Sequence, residues 1–147
     1  MFSIFSDEYY MKKALEEAKN AFEKGEIPIG AIVVCENQII AKAHNMTEYL
    51  NDVTAHAEMM AIATAAEFLG AKYLKDCTLY VTVEPCVMCA GALAWAQIGK
   101  VVYGASEEKS GFMRFGKEVL HPKTKVAYGV LHDDCAQLMK DFFQRKR

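Results

Sequence analysis

Apolar residues recur at three- and four-residue spacing through residues 7–24. Tyr10, Met11, Ala14, Leu15, Ala18, Ala21 and Phe22 fall on one stripe, with Ser6 as N-cap and Gly25 as stop, which predicts an amphipathic helix. The pattern then changes. Residues 29–35, a turn at Glu36-Asn37 and residues 38–43 read as a β-hairpin. Alanine-rich 55–69 predicts a second helix, capped by Thr54 and stopped by Gly70. A β-prone run at 79–83 leads to a helix over 86–97 that Pro85 opens. A strand follows at 100–103, then a glycine-rich loop over 105–124, a last strand at 125–130 and a terminal helix from 133 to 145.

This order predicts an α/β domain with helices on both faces of a central sheet. The first two strands are expected to be antiparallel and the later β-α-β crossings parallel and right-handed. A chain of 147 residues fits one domain, 1–147, large enough to bury its core without covalent staples. No apolar run approaches the ~20 residues of a membrane span. The first ten residues, MFSIFSDEYY, lack a secretory signal's basic and apolar regions, so a cytoplasmic location is expected. A net charge of −2 gives no global attraction to polyanions, leaving Lys140, Arg145, Lys146 and Arg147 as the local basic patch.

The five cysteines (Cys35, Cys77, Cys86, Cys89 and Cys135) are an odd number, which favours thiols or metal ligands over a disulfide framework. Two segments carry the candidate chemistry: Thr54-Ala55-His56-Ala57-Glu58 and Glu84-Pro85-Cys86-Val87-Met88-Cys89. A Cys-x-x-Cys in the first turn of a helix aims both sulfurs at one metal, and the positive helix end favours the thiolates that zinc requires. With His56 as third ligand, a tetrahedral zinc keeps one open position, which marks a catalytic site. Glu58 enters the same cavity without binding the metal and is placed to shuttle protons. Each fragment alone has a simpler reading: a redox pair, a core histidine, a first-turn glutamate. Together, H-x-E followed by P-C-x-x-C forms a zinc-deaminase signature.

At these residues the sequence resembles the cytidine-deaminase-like superfamily, and within it the bacterial tRNA adenosine deaminases. The likeness runs from Tyr10-Met11 through Glu26–Ala31, Asn45, Asp52–Glu58, Thr78–Ala92 and Val101–Ala105 to Asp141-Phe142-Phe143. It implies a three-layer α/β/α fold with a mixed sheet of about five strands, one zinc per subunit, and a homodimer completing the site. It implies conversion of the wobble adenosine of a tRNA anticodon loop to inosine. In that reading Glu58 protonates the base, Asn45 hydrogen-bonds the flipped nucleoside, and Phe142, Phe143, Arg145 and Arg147 meet the RNA. Asn45 is equally readable as a turn residue, and the two phenylalanines as packing on the core.

The sequence departs from the family in places. Glu107 stands where an RNA-contacting aspartate is usual, Met46 replaces a common arginine, and Val53 a proline. Residues 111–116 are unlike the usual run, and the loop reaching residue 125 looks shorter. Two other functions stay open. One is deamination of guanine or another small base, because Ala94-Trp95-Ala96-Gln97 is faintly similar to a segment of bacterial guanine deaminases. The other is a non-catalytic zinc-stabilised RNA-binding module, which needs a fourth ligand from His44, His121 or His132.

Overall fold

In the computed structural model, which describes residues 5–146, the chain follows an α/β course. It runs through α1 (Asp7–Glu23), β1 (Gly30–Cys35), β2 (Gln38–His44), α2 (Ala57–Leu69), β3 (Cys77–Val83), α3 (Val87–Ala96), β4 (Lys100–Ala105), β5 (Lys125–Tyr128) and α4 (His132–Arg145). Two short 3₁₀ turns, Phe112–Phe115 and Lys117–Val119, lie inside the stretch expected to be loop. The sheet order is β2-β1-β3-β4-β5. Strand β1 is antiparallel to both β2 and β3, whereas β3, β4 and β5 are parallel. The sheet is therefore mixed, as the sequence pattern requires.

Alternation along the central strands builds two cores. Ile32, Val34, Tyr80 and Val102 point to one face, where Tyr10, Met11, Ala14 and Leu15 of α1 and Cys135 of α4 cover them. Ala31, Val33, Leu79, Val81 and Val101 point to the other, beneath the alanines of α2 and Ala90 and Leu93 of α3. Each large aliphatic side chain buried this way contributes about 1.5–3 kcal/mol relative to exposure. Helix α1 lies so close to the start of β1 that a Cβ on Gly30 would overlap the Ala14 carbonyl. In the hairpin, Glu36 and Asn37 adopt φ of 51° and 64°. Positive φ at both central residues is the tight turn whose twist matches flanking strands.

Three local expectations are corrected. Helix α2 starts at Ala57 with His56 as N-cap, not Thr54. The Thr54 hydroxyl and N–H both donate to Asp52 Oδ1, at 2.7 and 2.8 Å, so a nearby carboxylate wins over the helix end. Helix α3 starts at Val87 with Cys86 as N-cap, so Pro85 lies one residue before the cap rather than inside the first turn. Strand β5 ends at Tyr128, and Gly129, at φ 82°, turns the chain towards α4.

Candidate active site

Two helix beginnings converge at one end of the sheet. Strand β3 delivers Glu84-Pro85 and then Cys86, the N-cap of α3, with Cys89 inside the first turn. His56 caps α2, and Glu58 lies in its first turn. Neither cap residue makes the side-chain hydrogen bond that normally closes a helix start. Instead the two caps face each other. His56 Nδ1 lies 3.6 Å from Cys86 Sγ and 3.5 Å from Cys89 Sγ.

These separations can be tested against a metal. Zinc–sulfur and zinc–nitrogen bonds of about 2.3 and 2.0–2.1 Å at a tetrahedral angle place sulfur and nitrogen roughly 3.6 Å apart. The three donor atoms lie within 4.8 Å of one another. Among the described residues the group holds these three side chains and no fourth. His44 is engaged by Lys24 Nζ and the Asn45 carbonyl. His121 Nδ1 accepts the Lys123 N–H, and His132 lies beside Asp133. The closed cage that a purely structural zinc requires is not formed.

The electrostatics suit a cation. The hydrogen bond from Cys89, reinforced by His56, pulls the Cys86 thiol down to about 4. The same bond to Cys86, together with burial, pushes Cys89 up. His56 is raised, chiefly by its hydrogen bond to Cys86. One thiolate is thus shared between a thiol and an imidazole, the arrangement a divalent ion replaces. Burial pushes the Glu58 carboxyl up to about 7. Its Oε1 is buried and has no hydrogen-bond partner.

A cavity of about 400 Å³ opens at the site, lined by Ile27, Asn45, Val53, His56 and Glu58 among others. Asn45 is 4% exposed, and its Nδ2 donates only a long bond of 3.4 Å to Thr47 Oγ1. Its amide therefore keeps hydrogen-bonding capacity at the cavity wall.

Two buried glutamates, to which sequence reasoning gave no role, hold loops next to the site, one bordering the cavity and the other joined to Cys86. Glu26 accepts the N–H groups of Glu48 and Tyr49 at 3.0 and 2.8 Å. Glu84 accepts those of Glu107 and Met113, both at 3.0 Å. A backbone bridge joins Cys86 to Gly111 in the same loop. The available signal was a carboxylate directly after the apolar strand β3, where burial requires partners.

The remaining candidates are scattered. Glu107 is partly buried, and its carboxylate accepts the Lys109 N–H at 3.0 Å. Phe142 is 5% exposed and packs edge-to-face on Phe22, while Phe143 is 44% exposed. The Arg145 guanidinium lies over the Phe22 ring at 4.9 Å. Arg147 lies outside the described residues. Cys77 and Cys135 are buried and Cys35 half-buried.

A histidine and two cysteines at facing helix starts, with a buried glutamate beside them on a cytidine-deaminase-like sheet, match the residue set of the zinc deaminases. The chain belongs to the MafB19-like deaminase family, which it matches over residues 5–147. It is 48% identical over 145 residues, 95% of each chain, to a tRNA-specific adenosine deaminase of Aquifex aeolicus. A solved tRNA A34 deaminase, studied for A-to-I editing at the wobble position of transfer RNA, superposes with a TM-score of 0.83. That match has 41% identity and covers 88% of this chain and 97% of the other. A guanine deaminase of Bacillus subtilis is 42% identical over 71% of this chain and 67% of its own, with a TM-score of 0.68.

Proposed function

We propose that this chain deaminates adenosine at the wobble position of a tRNA anticodon, releasing ammonia and leaving inosine. The observation that carries the chemistry is the buried Glu58, its Oε1 without a partner, next to the His56–Cys86–Cys89 triangle at a cavity that Glu58 helps to line. The substrate reading rests on the near-full-length likeness to tRNA-specific adenosine deaminases.

His56, Cys86 and Cys89 hold one zinc per subunit, and the bound ion supplies a Lewis acid that lowers the pKa of water from about 15.7 to about 7. Glu58, raised to about 7, is matched to neutral pH for taking a proton and giving it back. Its Oε1 accepts the proton of the attacking water. The carboxyl delivers that proton to adenine N1 as the oxygen adds at C6; it then takes the proton left on that oxygen and gives it to the amine, which leaves as ammonia while the C6–N bond breaks and the C6 carbonyl forms. Asn45 anchors the flipped nucleoside through its free amide capacity. The anticodon loop supplies a base already unstacked, so extrusion costs little. Exposed Phe143 offers a stacking face, and Arg145 a charge for phosphate. Glu107 is the counterpart of the family's acidic RNA contact, on a loop whose backbone Glu84 holds. A tRNA substrate sets the enzyme in the cytoplasm. No helix among the described residues is long and apolar enough to cross a membrane.

Helix α3 contains no charged residue, and Met88 and Trp95 lie exposed seven residues apart on one face, with Trp95 85% exposed. A second copy of the chain covers this face in the proposed homodimer, which brings the partner close to the start of α3 and so to Cys86.

The alternative is guanine deamination, favoured by the Bacillus subtilis likeness. Trp95, in the segment that resembles guanine deaminases, is exposed and does not line the cavity. Zinc-loaded protein is offered an anticodon stem-loop, free adenosine, cytidine and guanine, with inosine and ammonia measured. Inosine in the stem-loop is expected; turnover of guanine with an untouched stem-loop overturns the substrate reading.

A further inference from the structure

Cys35 closes β1 and Cys77 opens β3, and the antiparallel register sets the two directly opposite. The Cys77 N–H donates to the Leu74 carbonyl, and its carbonyl accepts the Gly99 N–H, both at 3.1 Å. Neither backbone group of Cys77 bonds back to Cys35. This is the non-hydrogen-bonded kind of cross-strand pair, in which Cα atoms approach to about 4.5 Å and side chains stand closest. Disulfides span Cα separations of about 4.4–6.8 Å, a range that includes this spacing. Both side chains face the core layer beneath α2 and α3.

We propose that Cys35 and Cys77 form an oxidisable dithiol site, which a hydroperoxide converts to a disulfide bridging β1 and β3. Half-buried Cys35 reacts first. Its sulfur bonds to the outer peroxide oxygen, the O–O bond breaks, and a sulfenic acid and an alcohol (water, for hydrogen peroxide) result. The Cys77 sulfur then bonds to that of Cys35 as the S–O bond breaks, and water leaves with the thiol proton. Two thiols have lost two protons and two electrons, and the peroxide has taken them up. Cys77 borders a cavity of about 570 Å³ at this end of the sheet. Cys135 has no such partner, because it lies in the opposite core layer. The bridge closes a loop containing β2, His56 and Glu58, yet it ties strands the sheet already holds together.

The test treats the zinc-loaded full chain with one equivalent of hydrogen peroxide, then maps peptides by mass without reduction. The expected product is a Cys35–Cys77 cross-linked peptide two hydrogens lighter, reversed by dithiothreitol. A rise in Tm of roughly 5–10 °C should accompany it, because the loop is closed in the unfolded chain as well. Cys35→Ser and Cys77→Ala should each abolish the cross-link and the rise. A Cys35 sulfinic acid with Cys77 still a thiol, or oxidation confined to Cys86 and Cys89, overturns the proposal.

Discussion

The Glu84 carboxylate fills the space in which a side chain at residue 111 would begin: a Cβ on Gly111 overlaps Glu84 Oε2 and the Glu107 carbonyl. Gly111→Ala must therefore displace either the carboxylate or the loop that bridges to Cys86. A loss of about 1–3 kcal/mol is expected for such crowding. Glu84→Ala should cost at least as much, because two amide N–H groups lose their acceptor. Urea unfolding of both variants checks this, and a Gly111→Ala protein as stable as its parent would show that the loop yields freely.

The proposed mechanism gives Glu58 the proton transfers and leaves the metal to His56, Cys86 and Cys89. Glu58→Ala should retain one zinc per chain while deamination falls by roughly 10²–10⁴-fold. Metal analysis beside a turnover assay separates the two. Equal loss of metal and activity would make Glu58 a ligand.

Burial of the same carboxyl has a cost that depends on pH. Its value is raised from 4.5 to about 7 on folding, so the folded protein binds this proton more tightly than the unfolded chain. The group's contribution is most favourable below about 4.5 and is lost as pH rises through about 7. In metal-free protein, Glu58→Gln should thus be more stable than the parent at pH 8, by roughly 2–4 kcal/mol. The gap should close at pH 4.5. Denaturant melts at the two pH values read this directly, and a gap that does not change with pH would exclude the titration of Glu58.

Adjacent phenylalanines on α4 should behave differently. Phe142→Ala removes a ring packed on Phe22 and should cost about 3–5 kcal/mol of stability. Phe143→Ala removes an exposed ring and should leave stability within about 1 kcal/mol. Its effect should appear as weaker binding of an anticodon stem-loop, measured by fluorescence anisotropy.

Much of this was readable in the chain. Ligand chemistry needs particular residue types at fixed spacings, so His56, Glu58, Cys86 and Cys89 stood out before any coordinates. The alternating strands of the central sheet announced themselves through their side chains. The roles of Glu26 and Glu84 did not, because their partners are backbone amides 22 to 29 residues away, and an amide carries no residue-specific mark. Thr54 does not cap α2, because its N–H and hydroxyl both donate back to Asp52 and the helix begins two residues further on, after His56. Which of Phe142 and Phe143 faces inward depends on Phe22, far off in sequence. The opposition of Cys35 and Cys77 is likewise a matter of register, which only strand pairing decides.

Removal of zinc should reach beyond catalysis. A chelator is expected to lower Tm, with His56→Ala and Cys86→Ser reproducing the loss and showing no further response to it. Hydrogen exchange should quicken first at the amides of residues 57–60 and 87–90, and unchanged rates there would show that the helix starts are held by other means.

The reason lies in where the donors are. At His56 and Cys86 extended chain first begins to wind, and neither residue ties off its own coil with a side chain. An ion gripping both acts as a shared knot, fastening two otherwise loose ends with a single tie. On the proposed reading, acquiring the catalyst and finishing the architecture would become one event, and an unloaded molecule would be unfinished as well as inactive.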